Sequence, residues 1–230
     1  MSFLNQLIDK LHHSIYHHGV ALNYLKNRKV TDEEIKEFKL GYSHMVAAVD
    51  DGSEDYNLFK DETYRGKVLE KKIVFPIYNM LGNPIGLLGR SIENKEFKLY
   101  LTLEAKFSGA FFGLCSALPH IYETGRVFVV EGPFDFFAFR KVFPNVVGDL
   151  TAELTEAQYE ILSFFAEEII TVFDSDNPGR MAAERAKRQW PGIKTLSLGY
   201  KDPDGVLKYY GDFNSFSAHV KRKIREISWK

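Results

Sequence analysis

From about residue 125 onward the chain alternates short apolar runs with helical stretches, and few folds accept that rhythm. The runs are residues 127–130, 145–148, 169–173 and 193–198, and the stretches between them are residues 134–143, 155–166 and 179–189. Short apolar strands separated by helices of about ten residues predict βαβ units, and therefore a parallel sheet covered on both faces. Such a sheet has a chemical consequence. The carboxyl ends of its strands lie along one edge, where folds of this kind place their ligands.

The first half has a different pattern. Leu4, Leu7, Ile8, Leu11 and Ile15, then Ala21, Leu22 and Leu25, recur at three- and four-residue spacing, which predicts an amphipathic helix interrupted near Gly19. Thr31-Asp32-Glu33-Glu34 reads as a capping box opening a short helix through Ile35 and Phe38, with Gly41 expected to end it. Residues 72–77 and 85–90 read as strands joined by a turn at Leu81-Gly82-Asn83-Pro84, and residues 97–101 as a third strand. Residues 44–70 are polar and carry no assignable pattern. This half is expected to be α+β with antiparallel pairing. The expected domains are residues 1–124, residues 125–212 and a short basic helix over residues 213–230.

Composition narrows the setting. A chain of 230 residues, 45% hydrophobic and 27% charged, can bury a core and is not a disordered tail. Its one cysteine, Cys115, excludes an internal disulfide framework and a self-contained cysteine-rich zinc module. No apolar run approaches the roughly 18–20 residues of a membrane span, and Met1-Ser2-Phe3-Leu4-Asn5 lacks a signal peptide's basic region. The expected location is a reducing cytoplasm. A net charge of −1 argues mildly against nucleic acid. The charge is uneven, however: between Lys60 and Lys106 nine bases face six acids, and Lys221-Arg222-Lys223-Ile224-Arg225 is basic again. A basic half beside an acidic metal site could track a phosphate backbone despite a neutral total. The basic tail reads either as DNA contact or as an exposed helix face.

The acids of the second half carry the chemistry. Glu131 directly follows the first apolar run, and Gly132-Pro133 then opens a helix with Asp135 in its first turn. Asp174 ends the third run with Asp176 two residues on, and Asp202 and Asp204 follow the fourth. Taken singly, each is a turn residue or a helix cap. Jointly they bring acids from three strands to one edge, where bare carboxylates would repel one another and a bound cation would remove that cost. Oxygen donors without histidine or cysteine suit Mg²⁺ or Mn²⁺ rather than zinc, in phosphoryl transfer.

At these residues the sequence resembles a Toprim domain, through Val129-Val130-Glu131-Gly132-Pro133-Phe134-Asp135, Phe173-Asp174-Ser175-Asp176-Asn177-Pro178-Gly179-Arg180 and Lys201-Asp202-Pro203-Asp204. The last two are similar to the DnaG-type primases. So are Phe75-Pro76-Ile77 through Gly82 to Gly89-Arg90, Phe111-Phe112-Gly113-Leu114, and the opening stretch from Ala21 to Arg28 with Phe38 to Tyr42. The likeness runs in order over residues 4–212. It departs at Leu150-Thr151-Ala152, where the family has Leu-Gly-Thr, and at Leu87-Leu88, where the family has Phe-Gly. The family's zinc-binding domain has no counterpart in these residues.

The resemblance implies an α/β protein, a Toprim parallel-sheet domain preceded by a smaller α+β subdomain, that joins ribonucleotides on a single-stranded DNA template as a primase core. It implies Glu131, Asp174 and Asp176 as catalytic residues, and Mg²⁺ or Mn²⁺ held by Glu131, Asp174, Asp176, Asp202 and Asp204. Asp135 is expected to brace the helix start or a ligand rather than touch the ion. Arg90, Lys98 and Lys106 are candidates for gripping triphosphate or template. Implied partners are the template, ribonucleoside triphosphates, a replicative helicase and a separate zinc-domain protein, and the reduced architecture suits a phage or plasmid. Two rival readings share these residues: a Toprim nuclease that cuts DNA without nucleotides, and a non-catalytic primase-like module of a replication assembly. His12, His13, His17 and His18 include i, i+4 pairs able to hold a metal, although an exposed polar face is the plainer reading. Phe134, Phe136, Phe137, Phe139 and Phe143 are expected to pack on the sheet rather than stack on bases.

Overall fold

The computed structural model describes residues 2–44, 69–94, 97–101, 109–150, 154–173, 177–199 and 202–228, which fall in two compact units, Met1–Ser108 and Gly109–Lys230. In the first unit, α1 (Phe3–Ile15) and α2 (Gly19–Asn27) are separate helices, broken where Gly19 was expected to break them. The α3 helix (Asp32–Glu37) opens on the anticipated capping box, with the Thr31 side chain accepting from Glu34 N–H and the Glu34 carboxylate accepting from Thr31 N–H. It does not end at Gly41. Lys39 turns left-handed at φ 48°, Lys39 N–H donates to Lys36 O and Leu40 N–H to Ile35 O, which closes the helix two residues earlier. Gly41 instead begins β1 (Gly41–Ser43), a strand too short to leave a periodic signature.

β1 pairs with β2 (Lys72–Tyr78), β2 with β3 (Pro84–Ser91) and β3 with β4 (Phe97–Leu101), all antiparallel. Phe3, Leu4, Leu7, Ile8 and Leu11 of α1 cluster with Leu69, Val74 and Leu87. The departure at Leu87 is thereby explained. It fills this core, fully buried, and Leu88 is buried as well.

The second unit begins earlier than residue 125. Its first helix, α4 (Leu114–Thr124), sends Leu114, Ala117 and Ile121 into one core with Val127, Val129 and Val147 of the sheet. An amphipathic helix shows that it covers something, but not which sheet it covers. Four parallel strands follow in the order β6-β5-β7-β8: β5 (Arg126–Val130), β6 (Val146–Gly148), β7 (Glu168–Thr171) and β8 (Lys194–Thr195). Between them run α5 (Pro133–Arg140), α6 (Glu156–Phe165) and α7 (Asn177–Gln189). The last run, residues 193–198, yields only two paired residues. Ile193, Leu196 and Leu198 are buried all the same, so the apolar run records burial more than strand length.

Phe134, Phe136, Phe137 and Phe139 are buried against the sheet, as expected of packing rather than base stacking. The Phe111-Phe112-Gly113-Leu114 motif belongs to the same core. Phe112 bridges Gly148 through two backbone hydrogen bonds of 2.8 and 3.0 Å and sets its ring edge-on to Phe136 at 4.9 Å. Gly113 stands at φ 79°, and a Cβ there would lie 2.2 Å from the Phe136 ring. Only glycine satisfies both the backbone and the ring.

The chain closes with α8 (Pro203–Tyr210) and α9 (Phe213–Ser228). Phe216, Val220 and Ile224 are buried, while Lys221, Arg222 and Arg225 are exposed. Arg222 and Lys223 both pair with Glu226, at 2.8 and 2.9 Å, so part of the basic tail is neutralised. His219 docks the helix, its Nε2–H donating to Leu198 O at 2.7 Å, which leaves Nδ1 to accept from the Tyr210 hydroxyl at 3.0 Å.

Candidate functional site

β5 and β7 are neighbours, yet the chain leaves β5 for β6 on one side and β7 for β8 on the other. That is a switch point, and in open α/β sheets the crevice for a ligand opens at the carboxyl ends of the two strands concerned. Glu131 follows β5 at this point and is partly buried. Gly132 is extended, and Pro133 starts α5 where the missing N–H costs nothing. Asp135 lies in the first turn of α5, where exposed backbone N–H groups favour a carboxylate.

Asp202 and Asp204 open α8. Asp202 caps the helix by accepting from the Gly205 N–H, an approach so close that a Cβ on Gly205 would fall 2.8 Å from the carboxylate oxygen. Asp204 is 5% exposed, and its Oδ2 takes the Lys208 ammonium at 2.6 Å. Its backbone N–H donates to Asp135 Oδ1 at 3.2 Å. The structure therefore joins Asp135 and Asp204 and ties the first turns of α5 and α8 together.

A further acid belongs to this edge. Asp149 follows β6 directly and is fully buried; its N–H donates to Val130 O at 2.9 Å and its carbonyl accepts from Gln158 Nε2 at 2.7 Å. The next residue, Leu150, takes φ 63°, a left-handed conformation costing a branched side chain about 1–2 kcal/mol. The signal for Asp149 was an acid placed straight after an apolar run, the same signal that marks Glu131. Lys208 had a signal too, lying four residues after Asp204 at the spacing that brings helix side chains together.

Asp174 and Asp176, between β7 and α7, lie outside the described residues, as do Lys106 and Lys201. Arg90 lies on β3 opposite Phe97, partly exposed, and Lys98 on β4 opposite Gly89, so the two basic positions are one rung apart. Among the described residues no three or more histidine, cysteine, aspartate or glutamate side chains gather as a metal site requires. The donors present fit a hard cation. Glu131, Asp202 and Asp204 offer only oxygen, and the carboxylate buried at Asp204 already draws an ammonium to itself.

The opposite edge of the same sheet does structural work. Arg126 and Glu168, paired across β5 and β7, form an ion pair, and Lys194 of β8 meets the other Glu168 oxygen at 2.6 Å. Burial pushes the Glu168 pKa upward, but the hydrogen bonds from Lys194 and Arg126 outweigh it and hold the carboxyl below its ordinary value. One carboxylate thus ties three parallel strands.

The second unit is a parallel α/β module with acids following its strands, and the Toprim domain model matches residues 125–198 of it. The model of the N-terminal domain of the DNA primase catalytic core matches residues 8–106. The chain belongs to the DnaG-type primase cores. It is 31% identical to a DNA primase of Helicobacter pylori over 208 residues, covering 81% of this chain and 37% of that protein. The Aquifex aeolicus primase structure, with zinc-binding and RNA polymerase domains, superposes with TM-score 0.79 at 26% identity, covering 97% of this chain and 60% of that one. A DnaG primase catalytic domain bound to single-stranded DNA matches in fold, with TM-score 0.71 at 21% identity, over 96% of this chain and 81% of that one. The chain spans well under half the length of the Helicobacter relative.

Proposed function

We propose that this chain is the catalytic core of a primase, joining ribonucleotides on single-stranded DNA by divalent-metal-dependent nucleotidyl transfer. The observation that supports it most is the order of the two matched domains along one chain, a primase-core N-terminal domain followed by a Toprim domain with an acid at its switch point. Glu131, Asp174, Asp176, Asp202 and Asp204 are the residues that would hold Mg²⁺ or Mn²⁺. A bound divalent ion there supplies positive charge to an α-phosphate under attack and favours the ionised 3′-hydroxyl.

The chain's own residues do the positioning. Asp135 holds the Asp204 backbone, and the Gly205 N–H holds the Asp202 carboxylate, so both aspartates are oriented before any ligand arrives. Lys208 places its ammonium on the buried Asp204 carboxylate and is the group a cation must displace or share. Glu131 is suited to receive the proton of the attacking hydroxyl. Arg90, Lys98 and Lys106 are suited to the phosphates of nucleotide or template. The template and ribonucleoside triphosphates are the proposed partners, with a helicase and a separate zinc-domain protein supplying recruitment and start-site choice in a cytoplasmic setting.

The test is incorporation of labelled ribonucleotides on single-stranded DNA with Mg²⁺ or Mn²⁺, with and without a helicase and a zinc-domain protein. Asp174→Asn is expected to reduce incorporation by at least about a hundredfold while leaving the thermal transition in place. No incorporation under any of these conditions overturns the proposal. Cleavage of DNA in the absence of nucleotides makes the protein a nuclease instead.

A further inference from the structure

The histidines between residues 12 and 18 fall into two kinds. His12 and His18 are engaged with the backbone, each Nδ1–H donating at 2.8 Å, to Leu40 O and Ser14 O respectively. The His18 ring also stacks on His44 at 5.2 Å. His13 and His17 instead face each other on the exposed surface, their Nε2 atoms 3.1 Å apart and their ring centroids 4.8 Å apart.

In the metal-free protein one of these nitrogens donates its proton to the other. The same separation is what a chelate requires. With metal–imidazole bonds of about 2.0–2.1 Å and an angle between ligands of about 90–109°, two nitrogens on one ion lie about 2.8–3.4 Å apart. The observed pair sits inside that window, so an ion can replace the shared proton without drawing the helix turn open or closed. Imidazole nitrogens select Zn²⁺, Ni²⁺ or Cu²⁺ over Mg²⁺. Asp9, one turn before His13, has its carboxylate on the Lys39 ammonium at 2.6 Å and is not counted among the donors.

We propose that His13 and His17 form a two-nitrogen site for a divalent transition-metal ion, water filling the other positions. On binding, both rings carry their proton on Nδ1 and both Nε2 lone pairs go to the ion, so no proton is released from neutral rings. The ion then clamps the last turns of α1 to the turn that leads into α2. This site differs in donor chemistry and in unit from the carboxylate edge, and it does not depend on the primase reading.

The experiment titrates the full chain, expressed without a histidine tag, with NiCl₂ and separately with ZnSO₄, in millimolar Mg²⁺ to occupy oxygen sites. Calorimetry is expected to show one ion per chain with micromolar affinity. His13→Ala and His17→Ala are each expected to weaken it by at least about tenfold, while His120→Ala, altering a partly exposed histidine beside Glu123, leaves it unchanged. Circular dichroism checks that both variants fold, and paramagnetic broadening by Ni²⁺ should centre on residues 13–17. Absence of saturable binding, wild-type affinity in both variants, or one ion per two chains overturns the proposal.

Discussion

The two sheets of this protein solve the same problem in opposite ways. The antiparallel sheet of the first unit connects β2 to β3 through a five-residue turn, and it leans α1 against one face. The parallel sheet of the second unit must cross over after every strand, so each strand end is followed by a helix start. The first arrangement is local and makes a scaffold. The second sets Glu131 and Asp149 directly after neighbouring strands at one edge, because parallel strands all end in the same direction. The difference teaches that chemistry gathers where connectivity repeats, while the locally connected sheet supplies surface. Basic positions on that surface, such as Arg90, have no strand-end geometry to collect them.

The largest expected effect tests the crossover core. Gly113→Ala forces a side chain into the Phe136 ring and strains a left-handed backbone, and is expected to cost at least about 3 kcal/mol in urea denaturation. Hydrogen exchange should show the loss in β5–β7, and undiminished protection there would break the account of that core.

A smaller effect tests the strand tie at the other edge. The Glu168 pKa is lowered on folding, so its contribution is present above its unfolded value near 4.5 and is lost as pH falls through the lower folded value. Glu168→Gln is expected to cost about 1 kcal/mol at pH 7, with the gap to wild type closing below pH 4 in denaturation series. A gap that persists at low pH would mean that the tie works through packing rather than charge.

The smallest effect concerns the locally built unit. Lys29 ends α2 at φ 60°, with Lys29 N–H on Lys26 O and Val30 N–H on Leu25 O, a closure that glycine adopts without strain. Lys29→Gly is expected to stabilise by about 0.5–1 kcal/mol, read as a rise in midpoint. A fall would show that the lysine side chain, not the backbone, sets that turn.

Much of this was legible in the residues themselves. Both capping boxes, at Thr31 and Thr155, follow local rules, although only the first had been singled out. Apart from β1, the strands of both sheets lie within or close to the apolar runs that announced them. Less legible were β1, three residues long, and the end of α3, where lysine does what glycine was expected to do. The compact second unit starts at Gly109, ahead of the expected boundary at residue 125, because an amphipathic helix such as α4 carries no mark of the sheet it will cover. Asp149 went unremarked because an acid after an apolar run reads as a turn until the neighbouring strand buries it.

What the amino-acid order determined by itself is periodic and local: the rhythm of strand and helix, the caps, and acids placed at the ends of apolar runs. Those follow from hydrogen-bonding rules and side-chain spacing that act over a few residues. What only the tertiary structure decided is which ends meet. Asp135 and Asp204, 69 positions apart, share a hydrogen bond because α5 and α8 pack together. Glu168 gathers cations from two other strands, Arg126 of β5 and Lys194 of β8. Such pairings depend on long-range packing, in which burial removes water and makes each charge answer to the partner that the fold sets beside it.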